Sequence, residues 1–71
     1  MVTVKVVWQD TGKPAKDQKV SIGFDGWTRG VKFTDSNGEA HFGADPGSGK
    51  VYVNGSTEYS GHISGRVVVY I

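Results

Sequence analysis

The residues able to do acid-base, nucleophilic or metal chemistry are few: His41, His62, seven acidic side chains and scattered hydroxyls, with no cysteine among 71 residues. Without a thiol, nucleophilic catalysis rests on a hydroxyl activated by a base, and proton transfer on a histidine or a carboxylate. His41 stands between Ala40 and Phe42. If those two face a core, strand alternation turns His41 outward beside Glu39, into solvent. His62 follows Ser60-Gly61. Residues two apart in a strand share a face, but a working nucleophile also needs an oxyanion-donor set and a third orienting group. No neighbouring residue supplies them, so the chain is expected not to be an enzyme.

Asp35, Asn37 and Glu39 alternate oxygen ligands as a calcium loop does at its start, because hard cations want several oxygens from one turn. Gly38 arrives directly after Asn37, too early for an EF-hand, and the distal glutamate is missing. The segment reads instead as a turn in which Asp35 caps backbone N–H groups and Asn37-Gly38 takes left-handed angles. Neither histidine has a zinc ligand at a usual spacing. Gly47-Ser48-Gly49-Lys50 lacks the full phosphate-loop pattern and a following helix, and is expected to be a hairpin loop. No metal and no cofactor are expected.

The elements that would hold these residues are strands. Eleven glycines punctuate short apolar runs and leave no window long enough for a helix. Val2, Val4, Val6 and Trp8 alternate with more polar residues, which predicts a first strand with Trp8 in the core. Val20, Ile22 and Phe24 define a second. Asp25-Gly26 suits a type I′ hairpin turn, so Trp27 to Thr34 is expected to return antiparallel, with Trp27, Val31 and Phe33 inward. Further strands follow through Ala40 and Phe42, through Val51 and Val53 up to Asn54-Gly55, and along Thr57 to Ser60 as an edge. Arg66 to Ile71, apolar on both faces, is expected to lie centrally. Six or seven short strands with frequent turns fit a β-sandwich or a small barrel, and a small antiparallel β-sandwich occupying residues 1–71 as one domain is the expected one.

Composition narrows the partners. Eight Lys and Arg against seven Asp and Glu give a net charge of +1 without a clustered basic stripe, so nucleic acid is not an expected partner. The longest apolar runs fall far below the roughly 20 residues that span a bilayer, and no membrane association is expected. Met1 leads straight into a strand pattern without the segments of a signal peptide, which places a chain complete as given in the cytoplasm. A domain this small has little core, and self-association is one remedy that needs no cysteine.

Gly12-Lys13-Pro14-Ala15 leading to Val20, then Phe33 to Ala40 with its Asp-Ser-Asn-Gly turn, and Pro46-Gly47 ahead of Val51 resemble the repeat pattern of prealbumin-like sandwiches. These include carboxypeptidase regulatory-like and bacterial Ig-like domains. The resemblance implies a fold that serves as spacer, adhesion, carbohydrate-contacting or assembly module. An enzymatic relative, the transthyretin-like hydroxyisourate hydrolase, ends in Tyr-Arg-Gly-Ser, whereas this chain ends in Val69-Tyr70-Ile71, so its catalytic residues are not carried over. The expected function is therefore protein contact or homodimerisation through a strand edge, with Val67 and Val69 of the last strand as contact residues. The alternative is carbohydrate binding by exposed aromatics, with Trp27, Tyr52 and Tyr70 as the candidates.

Overall fold

The computed structural model describes residues 1–24 and 30–71 in full and residues 27–28 in backbone only. It contains eight strands and no helix among those residues: β1 Val2–Val7, β2 Lys19–Phe24, β3 Trp27–Thr28, β4 Lys32–Phe33, β5 Glu39–Phe42, β6 Gly47–Val53, β7 Ser56–Ile63 and β8 Arg66–Tyr70. They form two sheets. The smaller has the order β5-β1-β8; the larger runs β3-β2-β6-β7, with β4 on the same side of β2 as β3. Every pair is antiparallel except β1 with β8, which run parallel, in departure from the all-antiparallel expectation.

The alternation read from the sequence decides the core. Val2, Val4 and Val6 of β1, Val20 and Ile22 of β2, Ala40 and Phe42 of β5, Val51 and Val53 of β6, Ile63 of β7 and Val67 and Val69 of β8 all join one buried cluster. Both sheets contribute their apolar faces to it, which is how a β-structure with period-two patterning removes oily surface from water. Phe24, Tyr59 and Ile71 pack against its rim. The chain crosses from β4 to β5 at the buried Thr34, whose hydroxyl donates to the Ala15 carbonyl at 2.5 Å and accepts from the Gln18 N–H at 2.8 Å. That pair of bonds ties the loop ahead of β2 to the crossing point.

Two turns keep the chemistry expected of them. Asn54 and Gly55 take φ of 52° and 86°, the double left-handed pattern of a type I′ turn, and join β6 to β7. Asp35 Oδ1 accepts the N–H groups of Asn37 at 2.9 Å and Glu39 at 3.0 Å, and Gly38 has φ of 74°. The Asp25-Gly26 turn lies outside the described residues, although β2 and β3 pair antiparallel with Phe24 opposite Trp27.

Four expectations are corrected. Trp8 is 39% exposed, because β1 ends at Val7 and Trp8 begins the next loop, its N–H bonded to the Lys13 carbonyl; alternation assigns no face beyond the last paired residue. The strand expected over residues 27–34 is two short pieces whose register differs by one residue: Gly23 opposite Thr28 and Phe24 opposite Trp27, but Val20 opposite Lys32 and Lys19 opposite Phe33. A one-residue slip exchanges the faces of a strand, and Val31 and Phe33 accordingly point outward, Phe33 at 64% exposure. Gly47, Ser48 and Gly49 belong to β6 rather than to a loop. There the glycines mark close approach: Phe24 lies 3.4 Å from where a Gly47 Cβ would stand, and the Gly23 carbonyl fills the space of a Gly49 Cβ. Finally, β8 is an edge strand, buried through Val67 and Val69 only and exposing Arg66, Val68 and Tyr70.

Candidate functional site

The outer face of the smaller sheet holds most of the candidate chemistry. Thr3 and Lys5 of β1 point outward between Glu39 and His41 of β5 and Arg66 and Val68 of β8, with Tyr70 further along β8 beside the buried Val7. Thr3 and His41 are directly opposite, and the odd residues of β1 turn their backbone groups towards β8, shown by the Thr3 N–H donating to the Gly65 carbonyl at 2.8 Å. Thr3 and His41 thus form a non-hydrogen-bonded antiparallel pair, the kind whose side chains approach most closely. Their side chains meet: Thr3 Oγ1 and His41 Nδ1 are 2.9 Å apart.

The other ring nitrogen faces two carboxylates. His41 Nε2 lies 3.9 Å from Asp35 Oδ2 and 3.9 Å from Glu39 Oε1, and the remaining Glu39 oxygen, Oε2, is 3.0 Å from Arg66. Glu39 and His41 share a face because they are two apart in β5, and the turn at 35–38 folds Asp35 back beside them. The sequence contained that part of the signal. It did not show that β1 would bring Thr3, or β8 Arg66, to the same place.

Asp35 shows how the turn tunes a charge. The N–H of Glu39, then that of Asn37, hydrogen-bonds its carboxylate and His41 adds electrostatic attraction; together these hold its pKa below the ordinary 3.8. A carboxyl whose folded value is depressed stabilises the fold above its unfolded pKa, and that contribution is lost as pH falls through the folded value. Asp35→Asn keeps the oxygen acceptor but loses the charge. In chelator-containing buffer, the stability difference between wild type and Asp35→Asn is therefore expected to shrink as pH falls below about pH 4. Urea melts across that range check it, and a difference independent of pH contradicts it.

Hydroxyl, imidazole and carboxylate follow one another here in the order of a nucleophilic triad. The Thr3 N–H is committed to the Gly65 carbonyl, however, and is not free to stabilise an oxyanion. Ser60 and His62 on β7 share no side-chain hydrogen bond among the described residues; the His62 carbonyl accepts from Tyr59 Oη at 2.7 Å.

The candidate contact residues distribute unevenly. Val67 and Val69 are core residues at 6% and 2% exposure, so their side chains are closed to a partner, in correction of the expectation. The exposed alternates on the same strand are Val68 and Tyr70. Tyr52 is half-buried on the outer face of the larger sheet, its ring 3.1 Å from where a Gly23 Cβ would be. Tyr52 and Tyr70 therefore stand on different sheets and form no common platform. The side chain of Trp27 lies outside the described residues.

The backbone of β8 completes the site. The Gly65 carbonyl, the Ile71 N–H and the Ile71 carbonyl all bond to the β1 segment. Strand geometry alternates, so the N–H and C=O groups of Arg66, Val68 and Tyr70 point the other way, to an edge with no strand beside it among the described residues. The fold and this face define an all-β protein of two sheets with an open apolar edge. Comparison with family models, with curated proteins and with solved structures finds no match in any of the three.

Proposed function

We propose that the chain is a non-catalytic β-sandwich module of prealbumin-like or Ig-like type that assembles through the edge of β8, with a second copy of itself as partner. The observation that supports this reading is the contrast between β8 and the other edges. β5 has four residues and exposes the charged or polar Glu39 and His41 face. The β3/β4 side is interrupted and includes Lys32. β7 has a register shift against β6, the acidic Glu58, and Gly61 at φ of 141°. Short length, charge and bulges are the usual means of blunting an edge. β8 is also short, but after Arg66 it has no charge and no bulge, reading Val-Val-Val-Tyr in unbroken register with β1.

Strand alternation in β8 supports one way for two copies to meet. Within β8, Arg66, Val68 and Tyr70 turn their backbone groups to the edge, so antiparallel self-pairing centres on Val68 opposite its own copy, with Arg66 opposite Tyr70 of the partner. Both chains then continue one sheet, and the facing cation and ring gain a cation–π contact. Edge pairing by five residues buries less than a standard interface, so dissociation in the micromolar range is expected. Light scattering at tens of micromolar is expected to give a dimer mass, and Val68→Lys, which places a charge at the centre of the pairing while leaving the buried face untouched, a monomer. A wild-type monomer at that concentration, or a Val68→Lys dimer, overturns the reading.

A further inference from the structure

We propose that Asp35, Glu39 and His41 bind one divalent transition-metal ion, zinc being the best chemical match, with water completing its shell. One ligand atom from each residue lies within 4.8 Å of the other two. In each residue the companion atom is already held. Asp35 Oδ1 accepts two backbone N–H groups, Glu39 Oε2 is bound by Arg66, and His41 Nδ1 meets Thr3 Oγ1. Oδ2, Oε1 and Nε2 are thereby left facing one another. Metal-binding histidines commonly have their second nitrogen fixed in this way, which sets the tautomer and the ring plane. In the tautomer that a metal selects, Nδ1 carries the hydrogen and donates to Thr3 Oγ1, which leaves the lone pair on Nε2, the atom 3.9 Å from each carboxylate.

The distances decide the size of the rearrangement needed. Donors around a tetrahedral zinc at about 2.0–2.2 Å are roughly 3.4 Å apart, so the two 3.9 Å separations must close by about half an ångström and the carboxylate–carboxylate one, within 4.8 Å, by up to about 1.4 Å. Asp35 and His41 have side chains about half exposed, free to make that movement and to leave room for water. The imidazole selects the class of ion, because calcium and magnesium prefer oxygen alone while zinc accepts mixed nitrogen and oxygen sets. Arg66 and Lys5, the cations beside Glu39, oppose the ion's charge and weaken its binding.

The test is calorimetric titration of Zn²⁺ alone into untagged, chelator-stripped protein, with ¹⁵N spectra of the imidazoles. One saturable equivalent is expected, with a dissociation constant on the order of micromolar and shifts at His41 but not at His62. His41→Ala and Glu39→Gln are expected to weaken binding at least tenfold, Thr3→Val about 10–100-fold through loss of the ring's support, and His62→Ala not at all. Ca²⁺ at the same concentrations is expected not to compete. These residues lie on a solvated face, and far-UV dichroism confirms that each variant is folded before titration. Absence of saturable binding, unchanged affinity in His41→Ala, or shifts confined to His62 overturns the proposal. A dimer that forms without zinc leaves the assembly reading standing in each of those cases.

Discussion

Ile63→Ala is expected to remove about 2–5 kcal/mol of stability, the range for truncating a fully buried aliphatic side chain. Ile63 is 0% exposed and is the one buried residue of β7, a strand whose other positions are exposed or half-buried. It sits opposite Gly47 in β6, which has no side chain to move into the gap. The size of the loss within that range depends on how far neighbouring side chains, the Phe24 ring over Gly47 among them, relax into the gap. A 71-residue domain has roughly 4–10 kcal/mol in total, so the variant is close to unfolding at moderate temperature. Because the Ile63 side chain anchors the end of the β6–β7 hairpin, β7 is expected to become the first site of proteolytic cleavage. Urea denaturation checks the magnitude, with Ile63→Val as the comparison at about 0.5–1.5 kcal/mol. A loss for Ile63→Ala below about 1 kcal/mol means that β7 is not held by this residue.

Gly38→Ala is the second large effect, and its cause is backbone geometry. Gly38 has φ of +74°, and an added Cβ would stand 2.6 Å from the Val6 carbonyl oxygen, 3.0 Å from Pro14 Cβ and 3.1 Å from the Ala15 nitrogen. None of these atoms belongs to a flexible side chain. Val6 O accepts the Ala15 N–H at 2.8 Å and Val6 N donates to the Gly38 carbonyl at 2.7 Å, so relief of the clash must break bonds that fasten the turn to β1. The left-handed angle alone costs about 1–2 kcal/mol for a residue with a Cβ. The steric term adds about 1–3 kcal/mol. Gly12 provides the control, with φ of +75° and nothing within 4 Å of its absent Cβ. Gly12→Ala is expected to show the angular cost only. Equal losses for the two variants in parallel denaturant melts exclude the clash as the cause.

Both predictions act on the frame beneath the candidate site. Gly38 lies in the turn that presents Asp35 to His41, so damage there is expected to reduce zinc binding along with stability. Ile63 sits just ahead of the Ser64-Gly65 link into β8, and loosening it affects the edge that the assembly reading uses.

The parts of the fold legible in the residues are those governed by local periodicity and turn chemistry. Val2, Val4 and Val6, or Val20 and Ile22, repeat every second residue and are buried as that spacing requires. Asn54-Gly55 and Asp35 to Gly38 adopt turns because their side chains and left-handed tolerance favour them locally. His41 was legible as an outward strand histidine beside Glu39 for the same reason. The misplacements share a different origin. Phe33 and Val31 lost their inward face through a one-residue change of register between β3 and β4, which depends on how β2 accepts its neighbour. Gly47 and Gly49, read as loop residues, serve as room for Phe24 and for the Gly23 carbonyl in the adjacent strand.

By itself, the sequence determined that the chain builds strands, where most of them turn, and which side of β1, β2 and β6 is oily, because each of these depends on residues within a few positions of one another. Tertiary structure alone decided that β8 lies at an edge beside β1, and that Thr3, Asp35, Glu39, His41 and Arg66 meet on one face. Strand order is set by burying all apolar faces at once, a condition on the whole chain that no short stretch encodes.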